Sequence, residues 1–142
     1  MSEAYWNKLV PELIVRDFAA SLRFYTELLG FAVRFTRTDP DFAYLELGDA
    51  QLMLEVHDEG GWITASLEPP LGRGLNLQIE VEQVAPILER LRASGVTLFR
   101  EPRESWYTVS DTREEGQLEF LVQDPDGYLL RFVEILGSRA RR

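Results

Sequence analysis

Gln123-Asp124-Pro125-Asp126-Gly127-Tyr128-Leu129-Leu130-Arg131-Phe132 closes the second of two passes through the same order of segments, and its reading decides the fold. Asp126-Gly127 is a tight-turn signal between two apolar runs, 118–122 and 128–135, so this stretch reads as a hairpin. Working outward, the second pass opens at Leu75-Asn76-Leu77-Gln78-Ile79-Glu80-Val81, which alternates as a half-buried strand should, and has a helix that stops at Gly95. The first pass opens with another alternating run, 9–15, followed by a helix that stops at Gly30 and three strand-like runs that end near Val56. A strand–helix–strands unit that occurs twice predicts an α+β fold of two tandem modules facing one cleft. The module boundaries fall at about 8–57 and 75–136. Between them 58–74 breaks into Gly60-Gly61 and Pro69-Pro70 and reads as a linker, and 137–142 reads as a basic tail of one single domain, 1–142.

Within the first module Asp17 is placed to cap the helix, whose apolar stripe is Phe18, Leu22, Tyr25, Leu28 and Leu29. The strands expected after it are 31–35, 42–47 and 51–56, with turns at Asp39-Pro40-Asp41 and Gly48-Asp49. In the second module Val84, Ile87, Leu88 and Leu91 form the helical stripe. Residues 96–99 read as a strand, and 100–115, rich in Arg and Glu but carrying Trp106-Tyr107, as a long polar loop.

The bulk composition narrows the function classes. The chain has 142 residues, enough for one well-packed domain, with 45% hydrophobic and 27% charged residues. It has no cysteine, which excludes disulfides, thiolate metal sites and a cysteine nucleophile, and its one histidine, His57, leaves little for a histidine-rich metal cage. A formal charge of −9 argues against nucleic acid as a partner, because such binding needs clustered cations; it attracts cationic ligands, although in most acidic proteins such charge serves only to keep the chain soluble. No apolar run approaches the ~18 residues a membrane span needs, and nothing near the N-terminus reads as a signal peptide, so a cytoplasmic protein is expected.

Strand alternation sorts the side chains between a helix-covered face and a free face. Leu52, Leu54 and Val56 suit the helix side, leaving Gln51, Met53, Glu55 and His57 on the other. Asn76, Gln78 and Glu80 oppose Leu75, Leu77, Ile79 and Val81. Val10 and Glu12 oppose Leu13 and Val15. Leu129, Arg131 and Val133 oppose Tyr128, Leu130 and Phe132. The free faces thus carry Glu12, Glu55 and Glu80 against Arg131. A solvent-facing sheet would show the same polar set, but two facing modules turn it into a candidate ligand surface.

Several segments resemble the vicinal-oxygen-chelate superfamily, and within it the bleomycin-resistance proteins. They are Leu13-Ile14-Val15-Arg16-Asp17, Ser21-Leu22-Arg23-Phe24-Tyr25-Thr26-Glu27-Leu28-Leu29-Gly30-Phe31, Leu52-Met53-Leu54-Glu55, and Asp124-Pro125-Asp126-Gly127 with Leu129-Leu130-Arg131. The similarity runs over nearly the whole chain. It implies paired βαβββ modules forming a curved mixed sheet around a cleft, usually in a homodimer. Enzymes of the superfamily hold a divalent metal with four ligands, two per repeat, and matching motif to motif puts those positions at Val10, Glu55, Asn76 and Arg131. Of these only Glu55 is an ordinary metal ligand. Val10 has no donor, and Arg131 puts a permanent cation where the ion would sit, with Glu55 as its expected counter-charge. His57 beside Glu55 leaves at most a two-ligand remnant.

The expectation is therefore a binding protein without metal or cofactor and without a catalytic residue, sequestering a bleomycin-like, cationic, ring-bearing antibiotic as the resemblance implies. Flat rings stack on aromatic faces, and a cation is drawn to carboxylates and ring faces. The candidate ligand-binding residues are Glu12, Phe42, Tyr44, Met53, Glu55, Trp62, Asn76, Gln78, Trp106, Tyr107 and Arg131, with Trp62 and Trp106 equally suited to plugging the core or a dimer contact and Phe42 and Tyr44 better suited to the core. Two alternatives stay open: a metal-dependent glyoxalase- or dioxygenase-like enzyme of the same superfamily, and a binder of another small metabolite.

Overall fold

A computed structural model describes residues 5–142 and divides into two compact units, the first ending at Leu71 and the second spanning Gly72–Arg142. We call them modules one and two. Module one contains β1 (Glu12–Val15), α1 (Phe18–Arg23), a π-helical turn Phe24–Leu28, β2 (Ala32–Arg37), β3 (Phe42–Leu47) and β4 (Ala50–Val56). Module two contains β5 (Asn76–Glu80), α2 (Ala85–Ala93), β6 (Arg100–Thr108), β7 (Arg113–Gln123) and β8 (Leu129–Ala140). The strand orders are β1-β4-β3-β2 and β5-β8-β7-β6, so the strands correspond one to one. In each sheet the first strand pairs in parallel with the last, and the other pairings are antiparallel. The two-module α+β reading holds, each module forming its own four-stranded mixed sheet.

Local chemistry explains the helices. The Asp17 carboxylate accepts from the Ala20 N–H at 3.1 Å and so satisfies one of the free donors at the start of α1. The helix ends after the π-helical turn at Gly30, whose φ of 90° favours a residue without a Cβ. In module two, Pro86 lies in the first turn of α2, where its missing N–H costs nothing, and the Glu134 carboxylate of β8 reaches back to the Val84 N–H at 3.0 Å. Leu13, Val15, Tyr25, Leu29, Leu45, Leu52 and Leu54 are buried in module one, as are Ile79, Ile87, Leu88, Leu91, Phe120, Leu130 and Phe132 in module two. Each fully buried side chain of this size contributes about 1.5–3 kcal/mol.

The structure corrects three readings in module two. Residues 96–99 are irregular, and the expected long loop 100–115 is mostly strand, namely β6 and the start of β7. The segment expected as a tail, 137–142, continues β8 to Ala140. Residues 100–108 look like loop because β6 is an edge strand, where charged side chains are favoured and apolar alternation is weak. Trp106 and Tyr107 are therefore strand residues. The indole of Trp106 lies over its cross-strand neighbour Gly116, where a Cβ would come within 2.6 Å of the ring, and Arg139 stacks on that ring at 3.9 Å.

Candidate functional site

On the face of the module-one sheet away from α1, register and alternation bring together Glu12 of β1, Met53 and Glu55 of β4, Phe42 and Tyr44 of β3, and Phe35 and Arg37 of β2. Glu55 pairs with Phe42, and Phe42 with Arg37, so these three form a row across the sheet. At the end of that row a cavity of about 260 Å³ is lined by Glu12, Arg37, Pro40, Glu55, Asp58, Gly60, Gly61 and Trp62. Its outer wall is a tight turn in which the Gly61 N–H bonds the Asp58 carbonyl at 2.8 Å. A Cβ on Gly61 would lie 3.0 Å from that same oxygen, a tight contact that glycine avoids. The turn delivers Trp62 to the rim with 92% of its surface exposed. A hollow beside the cavity, lined by Asp39, Pro40, Asp41, Val56 and Asp58, keeps the mouth acidic.

The lining holds three carboxylates, Glu12, Glu55 and Asp58, against one guanidinium, Arg37. The Glu12 pKa is raised. Loss of water around its carboxyl is the main cause, the charge of Glu55 adds to it, and Arg37 acts in the opposite sense. Arg37 is partly diverted, because its guanidinium stacks on Phe42 at 4.0 Å. Phe42 and Tyr44, expected to touch a ligand, are 2% and 6% exposed with Phe35 stacked against both, and the cavity lining includes neither of them. Met53, half-buried, sits in register between Glu12 and Tyr44.

In module two the other candidates are arranged differently. Asn76 and Gln78 are exposed on β5, with Gln78 directly across from Arg131. Arg131 pairs at 3.7 Å with Glu119, a residue that is only 1% exposed. Within module two, then, Arg131 has a carboxylate partner in Glu119. Tyr107 donates its hydroxyl to one oxygen of Glu119, and Gln117 donates to the other at 2.7 Å. Burial by itself would raise the Glu119 pKa, but the hydrogen bonds from Tyr107, Gln117 and Ser105 and the charge of Arg131 outweigh it, and the net shift is downward. Arg131 keeps one buried donor, Nε, without a hydrogen-bond partner. Trp106 is engaged by Gly116 and Arg139.

Sequence reasoning missed Arg37, Asp58 and Glu119. A glutamate inside the apolar run Leu118-Glu119-Phe120-Leu121-Val122, two positions from the residue paired with Arg131, was a usable signal for the last of these. Arg37 and Asp58 gave no such signal, because their place depends on how two turns fold back over the sheet.

The metal that the resemblance brings with it does not fit these residues. Val10 offers no donor, Asn76 only a neutral amide, and Arg131 is a cation already paired with a carboxylate. Among the described residues no group of three or more His, Asp or Glu side chains is placed to hold a metal ion.

Residues 8–132 match the glyoxalase/bleomycin resistance protein/dioxygenase superfamily. The chain belongs to that superfamily. Among characterised members, a lactoylglutathione lyase of Haemophilus influenzae is 27% identical over 90% of this chain and 92% of its own. A bleomycin resistance protein of Geobacillus stearothermophilus is 25% identical over 91% and 97%. A glyoxalase/bleomycin resistance/dioxygenase domain from a Frankia species superimposes with a TM-score of 0.65 at 25% identity, covering 93% of each chain. A protein of unknown function from Agrobacterium tumefaciens shares the fold, with a TM-score of 0.68 at 24% identity over 93% and 96%. This superfamily member thus stands equally near a lyase and an antibiotic-resistance protein in sequence. No described helix is long and apolar enough to cross a membrane.

Proposed function

We propose that this superfamily member is a metal-independent binding protein that captures a cationic, ring-bearing small molecule of the bleomycin type and returns it unchanged. The observation that supports it most is the lining of the module-one cavity, three carboxylates against one guanidinium with an almost fully exposed tryptophan at the rim. A cationic group entering there replaces the water lost around Glu12 and relieves the repulsion between Glu12 and Glu55. A flat ring gains contact with Trp62. The similarity to bleomycin resistance proteins over nine-tenths of the chain agrees with this reading.

Calorimetry with metal-free bleomycin tests it. The expected result is a micromolar Kd that weakens as salt rises and about tenfold in Glu55→Gln, since one charge-assisted contact is worth roughly 1.5 kcal/mol. Binding should also weaken as pH falls through the raised pKa of Glu12, because the protonated acid no longer attracts a cation. No heat of binding at micromolar concentration sinks the assignment.

The equal similarity to lactoylglutathione lyases favours a second reading, a metal-dependent lyase. The donor set argues against it. A stoichiometric divalent metal in protein purified without chelators, together with lyase turnover, would reverse the order. The homodimer implied by the resemblance belongs to the same proposal and is checked by sedimentation.

A further inference from the structure

The acidic cavity occupies one end of the free face of module one, and the other end is covered by the chain's own residues Tyr5, Trp6 and Asn7. Trp6 stands edge-on to Tyr44 at 4.9 Å and to Phe35 at 5.9 Å. Arg34, the extra residue of a bulge in β2, lays its guanidinium over the indole at 4.0 Å. The backbone around that indole is gripped as well. Arg34 and Gln51 both donate to the Tyr5 carbonyl, Gln51 at 2.6 Å, and the Gln51 amide oxygen accepts from the Asn7 N–H at 2.9 Å. Tyr44 donates its hydroxyl to that same oxygen, which fixes the orientation of the amide.

Two features set this apart from ordinary packing. Gln51 is 7% exposed and the Arg34 side chain 9%, so buried polar groups are devoted to holding a segment whose own tryptophan is 52% exposed. Buried donors and acceptors of this kind are costly unless paired. The pairing is also chemically specific: a carbonyl oxygen, then a flat ring, then an N–H.

We propose that Arg34, Phe35, Tyr44 and Gln51 form a subsite for a planar aromatic amide, and that Trp6 with its two flanking peptide groups occupies it as an internal stand-in. This deepens the reading above, on which it rests for the premise that this face receives a guest. It adds what the uncharged part of that guest is: a flat ring joined to an amide, with the carbonyl on Arg34 and Gln51 and the N–H on the Gln51 oxygen. The row of stacked rings Tyr44, Phe35 and Phe42 leads from this subsite to Arg37 at the cavity, so one guest can hold a cation at one end and a ring at the other. The segment then acts as a competitor that any guest must displace.

The experiment uses the full chain and N-acetyltryptophanamide, a soluble copy of what Trp6 presents. Its Kd is read from NMR titration of the Arg34 Nε–H and the Gln51 side-chain amide in the parent, in Trp6→Ala and in Asn7→Pro. The proline variant keeps the indole but removes the N–H that Gln51 holds. If the segment is seated nine-tenths of the time, both variants bind the probe about tenfold more tightly than the parent, whereas N-acetylleucinamide gains nothing. Probe resonances that leave Arg34 and Gln51 unmoved in both variants, up to millimolar concentration, overturn the subsite. Bleomycin takes no part in this titration, so its failure leaves the calorimetric test intact. A positive titration beside a negative calorimetric result would keep the subsite and discard the antibiotic.

Discussion

Module one leaves Glu12 beside Glu55 at the wall of a cavity, with Arg37 partly committed to Phe42, whereas module two seals Glu119 under three neutral donors and a guanidinium. The two sheets have the same strand order, so topology does not account for the contrast. It comes from which side chains the neighbouring strands bring to the carboxylate. In module two, Ser105 and Tyr107 of β6 and Gln117 of β7 converge on Glu119, and its pKa falls. In module one the neighbour is a second carboxylate, and the pKa of Glu12 rises. An equivalent fold thus yields a hydrogen-bonded, ion-paired acid in one half and an acid set beside a second carboxylate in the other.

The largest expected test of this contrast is Glu119→Ala. It strips Tyr107, Gln117 and Ser105 of their acceptor and leaves Arg131 without its counter-charge, so urea unfolding should show a loss of about 3 kcal/mol. A loss under about 1 kcal/mol would mean the network is loosely held. Gly116→Ala comes next. Its Cβ would press on the Trp106 ring at 2.6 Å, and displacing that ring from Arg139 should cost about 1–2 kcal/mol in the same assay. An unchanged midpoint would show that the indole moves freely.

The smallest effect has the opposite sign. Glu12→Gln should leave stability unchanged or raise it by no more than about 0.5 kcal/mol, since the residue is largely exposed and screened. The pH profiles sharpen this point. With its pKa lowered, Glu119 binds fewer protons folded than unfolded, so its contribution is present above the usual glutamate range and is lost as pH falls through its folded pKa. With its pKa raised, Glu12 binds more protons folded, so stability declines as pH rises from the usual range through its folded pKa. Glu119→Gln should flatten the acid limb of the stability curve, and Glu12→Gln should remove the decline above it. Both variants altering the curve in the same direction would break the comparison.

The legibility of this chain follows from the range of the forces involved. The cap at Asp17, the stops at Gly30 and Gly95, and the turn at Asp126-Gly127 depend on a few neighbouring residues, and so does the alternation that put Glu12, Met53 and Glu55 on one face. These were readable from the sequence. The strand identity of 100–108 and 137–140 was not, because polar edge segments become strand only when β7 offers them a partner. The same holds for the site. The amino-acid order determined that a duplicated unit would expose Glu12 and Glu55 on a free face. Tertiary structure alone decided that turns 39–41 and 58–61 would wall a cavity around them, that Glu119 would take Arg131 as its partner, and that Trp6 would lie on Tyr44. Each of those depends on contacts between residues far apart in the chain, which no local pattern encodes.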